Sequence, residues 1–310
     1  MRLFALACAL SAAATTFGQV QFTPDSVAVQ IDGKPFTTFY YGEAAAKPYF
    51  APLRSASGKI VTRRFPMETV PGESRDHLHH RGLWFTYDDV NGVKLWENDP
   101  SYTNKPNKGH VTVKSNSWDA KKAVMTSVLE WRDEKEKVLL VEDRTVTFVT
   151  SDPKLRVMDF RITLSAPNGE VKLGDTKEGA FAIRLAEEFT EKRGGVITNA
   201  DGLTGMKQLW GKPSNWVDYS ATLDGEPLGV AMFDHPSNPG HPTRWHARDY
   251  GLFSLNPFGQ KGFDPAQPEK ITTIAAGKKL TYRWRVVIHP GDAKSANVDA
   301  LYKAWAGSNK

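Results

Sequence analysis

Leu155-Arg156-Val157-Met158-Asp159-Phe160-Arg161-Ile162-Thr163-Leu164 reads as a strand with one dry face. Side chains of an extended chain alternate, so Met158, Phe160, Ile162 and Leu164 fall on one side and Asp159, Arg161 and Thr163 on the other. The same period-two pattern recurs at 36–41, 59–65, 111–116, 124–131, 138–149, 180–185, 221–223, 228–233 and 280–288. Turn chemistry separates the runs at Asp32-Gly33, Asp152-Pro153, Asn168-Gly169, Asp224-Gly225 and Gly277-Lys278. Many short strands without a repeat period predict an all-β chain, built as a large antiparallel two-sheet sandwich rather than a propeller or solenoid. One short helix is predicted at the C-terminus. Val298, Leu301, Tyr302 and Trp305 follow the spacing of an apolar stripe, Ser295 or Asn297 is placed to cap its start, and Gly307 to end it.

The first 18 residues carry one basic side chain, Arg2, then a short apolar run and a small-residue exit at Gly18, the pattern of a secretory signal peptide. The expectation is residues 1–18 as signal and 19–310 as one domain, periplasmic or extracellular. Cys8 is the single cysteine, so the mature chain would hold together without disulfides. No later stretch approaches about 20 uninterrupted apolar residues, which argues against a membrane span. The 40 basic and 35 acidic residues are scattered, with no basic stripe interleaved with aromatics, which argues against nucleic acid as a partner. Nine tryptophans suit a sandwich core, and exposed ones suit the apolar face of a sugar.

Chemistry gathers in three places. Asp76-His77-Leu78-His79-His80-Arg81-Gly82-Leu83-Trp84-Phe85 holds three of the eight histidines. If extended, it sends His77 and His79 to one face and His80 to the other, with Asp76. Asp234 to Arg248 carries His235, His241, Trp245, His246 and Arg248. Gly174-Asp175-Thr176-Lys177-Glu178-Gly179 sets two carboxylates around a lysine in a turn. Charges of both signs push pKa values apart, so Asp175 or Glu178 is a candidate base and a histidine a candidate acid; a solvated turn with ion pairs is the plain alternative. Arg81, Arg184 and Arg248 suit a hydroxylated or carboxylated substrate. Asn256 is either a substrate donor or an Asx-turn residue. Read as metal ligands, His77 and His79 would share an ion with His241 or His246 and an acid, though the spacing matches no standard signature. His110 and His289 read as locally hydrogen-bonded.

Together with Asn91-Gly92 and Trp96, the 174–184 stretch, and His235-Pro236 through Tyr250-Gly251 and Asn256-Pro257-Phe258-Gly259, the histidine stretch resembles the PmoA-like family of secreted bacterial proteins, over nearly all of the mature chain. That family's customary label refers to a methane oxygenase. The methane monooxygenase subunit of that name is a multi-span membrane protein, and a mean hydropathy of −0.45 with no apolar span does not match one. The resemblance carries over the motifs as the site, with no catalytic residues, and its oxygenase label suggests a histidine-ligated metal-dependent enzyme as one alternative. The expected architecture is also similar to the galactose-mutarotase-like supersandwich. That likeness implies a histidine that protonates a ring oxygen and a glutamate that takes the anomeric proton, here His80 or His246 with Glu178.

The expected function is an exported carbohydrate-active enzyme of epimerase, lyase or hydrolase type, acting on a sugar or uronate by histidine and carboxylate acid–base catalysis. Its catalytic candidates are His77, His80, Asp175, Glu178 and His246. Its substrate-binding candidates are Arg81, Trp84, Lys177, Arg184, His241, Trp245, Arg248 and Asn256. No cofactor is required in this reading. The alternatives are a non-catalytic glycan-binding module and a metal-dependent enzyme with a divalent ion on His77, His79 and His241.

Overall fold

The computed structural model describes residues 18–42, 44–102, 108–149 and 151–308. The expected signal segment, except Gly18, lies outside them. In chain order the strands are β1 (Gln19–Phe22), β2 (Ser26–Ile31), β3 (Lys34–Tyr40), β4 (Tyr49–Phe50), β5 (Leu83–Tyr87), β6 (His110–Asp119), β7 (Val124–Arg132), β8 (Val138–Val149) and β9 (Arg156–Ser165). They continue as β10 (Val171–Leu173), β11 (Gly179–Arg184), β12 (Val196–Asn199), β13 (Trp216–Leu223), β14 (Glu226–Asp234), β15 (Arg244–Trp245), β16 (Leu252–Asn256), β17 (Thr272–Ile274) and β18 (Lys279–Pro290). Two short α-helices accompany them, α1 (Met206–Leu209) and α2 (Val298–Ala306).

The strands form two eight-stranded sheets and one small ladder, β10 with β17. The first sheet runs β1-β2-β3-β4-β5-β11-β16-β15 and the second β12-β13-β14-β18-β9-β8-β7-β6. Every pairing between named strands is antiparallel.

The alternation in β9 is what the sequence predicts: Met158, Phe160, Ile162 and Leu164 are buried while Arg161 is exposed. Phe160 meets the opposite sheet through Phe50 and Phe181, with ring centroids 5.7 and 4.8 Å away. Trp284, opposite Phe160 in the β9–β18 register, stacks on Phe181 at 5.1 Å. These contacts lie in one continuous apolar core between the sheets. Removing such surface from water is the main favourable term in holding the layers together.

Two expectations need correction. The 59–65 run is not a strand. Ile60 and Thr62 make only isolated bridges, to Arg54 and Leu185. The Glu73 carboxylate accepts the backbone N–H groups of Arg64 and Phe65, at 3.1 and 2.9 Å, where a neighbouring strand would have to bond. Residues 77–82 are not extended either. His77 sits at φ 43° and Gly82 at φ 55°, and the His80 N–H bonds back to the His77 carbonyl at 2.9 Å. Only glycine fits at position 82, where a Cβ would lie 2.1 Å from the Phe50 carbonyl oxygen.

The C-terminal helix forms as expected. It buries Val298, Tyr302 and Trp305 against Phe233 and Trp216 on the second sheet. Neither proposed cap acts through its side chain: Asn297 is left-handed with no side-chain cap bond, and the Ser295 hydroxyl bonds Asp292.

Candidate active site

The outward face of the first sheet carries the site. Across β4, β5, β11 and β16 the register aligns Tyr49, Trp84, Ala182 and Ser254 in one row. The ladder extends beyond β15, because the His246 N–H bonds Ser254 and the Arg248 N–H bonds Leu252. Alternation then puts His246 and Arg248 on the outward face while Trp245 and Ala247 point into the core. Ala182 and Ser254 are small, so the row has a dip between Trp84 and His246. Over this floor lies a cavity of about 240 Å³ lined by His77, His79, His80, Glu97, Lys177, Glu178, His246, Arg248 and Tyr250.

The turn at 77–82 brings its three imidazoles together. Tyr250, His77, His80 and Trp84 form a column of parallel rings, with successive centroids 5.3, 4.7 and 5.3 Å apart. His79 stands edge-on to His80 at 4.3 Å, and its Nδ1 lies 3.2 Å from the Tyr102 hydroxyl. Face-stacked rings do not aim their nitrogens at one point. Among the described residues no group of three or more His, Cys, Asp or Glu side chains is placed to hold a metal ion.

Hydrogen bonds set the two innermost tautomers. A carbonyl only accepts, so His246 donates through Nδ1 to the Lys177 carbonyl at 3.0 Å and leaves Nε2 as an acceptor. A guanidinium only donates, so the 3.5 Å contact from Arg184 Nη1 makes His80 Nδ1 an acceptor and puts the proton on Nε2. Burial, reinforced by Lys177 and Arg248, pushes His246 down to about 3. Burial, with His79 and Arg184 adding to it, holds His80 well below the usual imidazole range. Both rings are therefore neutral at ordinary pH, one an acceptor and the other a donor.

Beneath them Asp76 joins two buried arginines. Its Oδ1 accepts from Arg63 at 2.5 Å and Arg184 at 2.9 Å, and its Oδ2 lies 3.1 Å from His77 Nδ1. Burial alone would raise this carboxyl, but His77, Arg184 and Arg63 outweigh it and keep it well below the carboxylate range. Glu178 pairs with Lys177 at the cavity wall. Next to it Asp88 accepts the Glu97 N–H at 3.2 Å. Burial first, and then the Glu97 and Glu178 charges, push Asp88 up to about 7.

Of the catalytic candidates, His77, His80, Glu178 and His246 meet at the cavity. Asp175 does not. Its carboxylate accepts four backbone N–H groups, from Gln260, Lys261, Gly262 and Lys270 at 2.7 to 3.0 Å, and is a loop anchor.

Of the binding candidates, only Lys177 and Arg248 line the space. Arg81 is committed to Asp99 at 2.8 Å. Trp84 is the base of the ring column and Arg184 the support of His80. Trp245 is core, its indole N–H bonded to the Ser214 carbonyl. Asn256 is the Asx-turn residue, its Oδ1 accepting from Phe258 and Gly259. His241 bonds Asp234 at 2.9 Å and does not line the cavity, so the set His77, His79 and His241 is not assembled.

His289 bonds Asp218 as the local reading expects, and His110 lies 3.4 Å from Glu136. The sequence reading did not single out Glu97, Asp88 or Arg63, and used Tyr250 only as part of a motif. Tyr250 follows Arg248 by two residues and His246 by four, in the turn that leads into β16. A wider trough of about 620 Å³ lies over Lys59, Arg64, Glu73 and Asp224. There Lys59 pairs with Asp224 and Arg64 with Glu73, which leaves those charges spent on each other.

The chain belongs to a family of unknown function, DUF6807, which it matches over residues 26–303. No curated protein matches it. Among solved structures it is similar to a GH36 alpha-galactosidase from Geobacillus stearothermophilus, at 9% identity and TM-score 0.39, covering 89% of this chain and 40% of that one. It is similar to a galactose mutarotase related enzyme from Lactobacillus acidophilus, at 10% identity and TM-score 0.35, covering 88% of this chain and 97% of that one. A polysaccharide lyase matches at 12% identity and TM-score 0.38, covering 94% of this chain and 35% of that one.

Proposed function

We propose that this DUF6807 member is a carbohydrate-active enzyme that moves protons on a single sugar ring in the 240 Å³ cavity. That volume falls below the range of about 300–1,000 Å³ typical of sites for drug-sized ligands, which suits a small ring. The observation that carries the reading is the pair of opposite, fixed tautomers. The Glu178 carboxylate takes a proton from the sugar and returns it, His246 Nε2 accepts a hydrogen bond from a sugar hydroxyl, and His80 Nε2–H donates to a sugar oxygen on which negative charge develops. A histidine kept neutral is a hydrogen-bond donor rather than an acid, so His80 takes the oxygen-polarising part and not the proton-delivering one. No bound cofactor is needed in this scheme.

The test is proton NMR of monosaccharides, uronates and glycan ends incubated with the protein in D2O. Exchange or product formation is expected for a subset. It should fall by at least about 100-fold in Glu178→Gln and in His246→Gln, with melting temperatures close to the parent. Unchanged turnover in both variants overturns the assignment. Tight sugar binding with neither exchange nor product makes the cavity a glycan-binding module.

A further inference from the structure

The cations around the cavity differ in how they are compensated. Arg63 and Arg184 share Asp76, Arg81 pairs with Asp99, and Lys177 pairs with Glu178. Arg248 lines the cavity with no carboxylate in ion-pair reach among the described residues, and its Nε is buried without a hydrogen-bond partner. Its guanidinium is held between aromatic faces, 5.1 Å from the Trp210 ring and 5.2 Å from the Tyr250 ring. Those contacts position the group and use none of its N–H donors in a hydrogen bond. A guanidinium partly withdrawn from water and left without a counter-charge is costly, and a carboxylate is the partner whose two oxygens match its planar fork.

We infer that Arg248 is the seat of a substrate carboxylate, so that the sugar handled in this cavity is a uronate or another sugar acid rather than a neutral sugar. The inference rests on the acid–base reading of the same cavity and narrows its substrate class. Position supports it. Arg248 and His246 lie two residues apart on one face of the extended chain, about 6.5–7 Å along it. A ligand seated by its carboxylate on Arg248 therefore brings the adjoining ring atoms toward His246 Nε2. Lysine would not do the same work, because an ammonium neither lies flat between two rings nor offers two parallel donors.

Calorimetric titration of the whole protein with D-glucuronate, D-galacturonate, D-glucose, D-galactose and sodium acetate tests it, with Arg248→Gln and Arg248→Lys alongside. At least one uronate should bind at least about tenfold more tightly than its neutral counterpart and than acetate. Arg248→Gln should erase that preference, so that the uronate binds no more tightly than its neutral counterpart, and Arg248→Lys should recover only part of it. A neutral sugar binding as well as its acid, a preference that survives in Arg248→Gln, acetate binding as tightly as either uronate, or no uronate binding at all, each overturns the inference. Arg248-dependent uronate binding without proton exchange in D2O would sustain it and sink the catalytic reading instead.

Discussion

His289 on β18 and His246 beyond β15 are almost equally hidden, at 1% and 2% exposure, yet they meet opposite electrostatic fates. His289 has both ring nitrogens engaged. Nε2 bonds the buried Asp218 carboxylate at 2.8 Å, and Nδ1 lies 3.2 Å from the Pro290 carbonyl oxygen. Burial lowers its pKa, but Asp218 more than offsets this and the net shift is upward. Ser220 donates to the other Asp218 oxygen, so the group is closed. A Cβ on Gly229 would strike the ring at 2.1 Å, which leaves no room for a ligand. At the cavity His246 and His80 each spend one nitrogen on the protein and keep one, and both shifts are downward. The lesson is that burial and residue type do not mark a site. Unused hydrogen-bonding capacity beside a cavity is what separates His246 and His80 from His289.

The contrast breaks most visibly at Asp218. Asp218→Ala strips the buried His289 and Ser220 donors of their shared acceptor and should cost about 3–5 kcal/mol in urea unfolding, with turnover unaffected in the fraction still folded. Asp175→Ala should cost about 2–3 kcal/mol, since four backbone donors lose a charged acceptor at a partly exposed position. Asp175→Asn should recover part of that stability together with most of the turnover, whereas a catalytic aspartate would lose turnover without losing stability. His241→Gln should cost about 1 kcal/mol and leave uronate binding unchanged, because Asp234 keeps its bonds from Asn238 and the Thr243 N–H.

The smallest effect is a slope. His246 and His80 stay neutral in the fold while the unfolded chain protonates below 6.5, so both lower stability as pH falls below 6.5, His246 down to about 3. His289 works the other way: its contribution is complete below 6.5 and is lost as pH climbs through its raised value. His246→Gln should therefore flatten the acid limb of a stability–pH curve. The double variant His289→Gln with Asp218→Asn should flatten the alkaline side, and identical curves for both proteins would undo the comparison.

The strands are readable because alternation is written into adjacent residues, and β9 follows it from Met158 to Ser165 and β8 from Leu140 to Val149. The apolar stripe of α2 was readable for the same reason. The stretch 59–65 alternates as well, but a distant carboxylate, Glu73, takes the donors a sheet would need, and nothing local announces that. The histidine stretch stands out in the sequence by composition, but the alternation expected if it were extended does not hold over 77–82. The reversal depends on His77 adopting a positive φ and on the tight approach of Gly82 to Phe50, both tertiary facts. Glu97 and Asp88 escaped notice because their meaning comes from a fold-back that brings them to Glu178. Asp175 and Glu178, three residues apart, look interchangeable on paper. The direction each side chain takes out of one bend separates anchor from acid.

That bend ties two parts of the molecule together. By gathering the amides of Gln260, Lys261, Gly262 and Lys270, Asp175 fastens an otherwise unpaired excursion of the chain to the short turn that presents Glu178. The excursion and the acid then move as one rigid piece. A length change between 260 and 270, on the molecule's rim, would be transmitted inward as a displaced carboxylate.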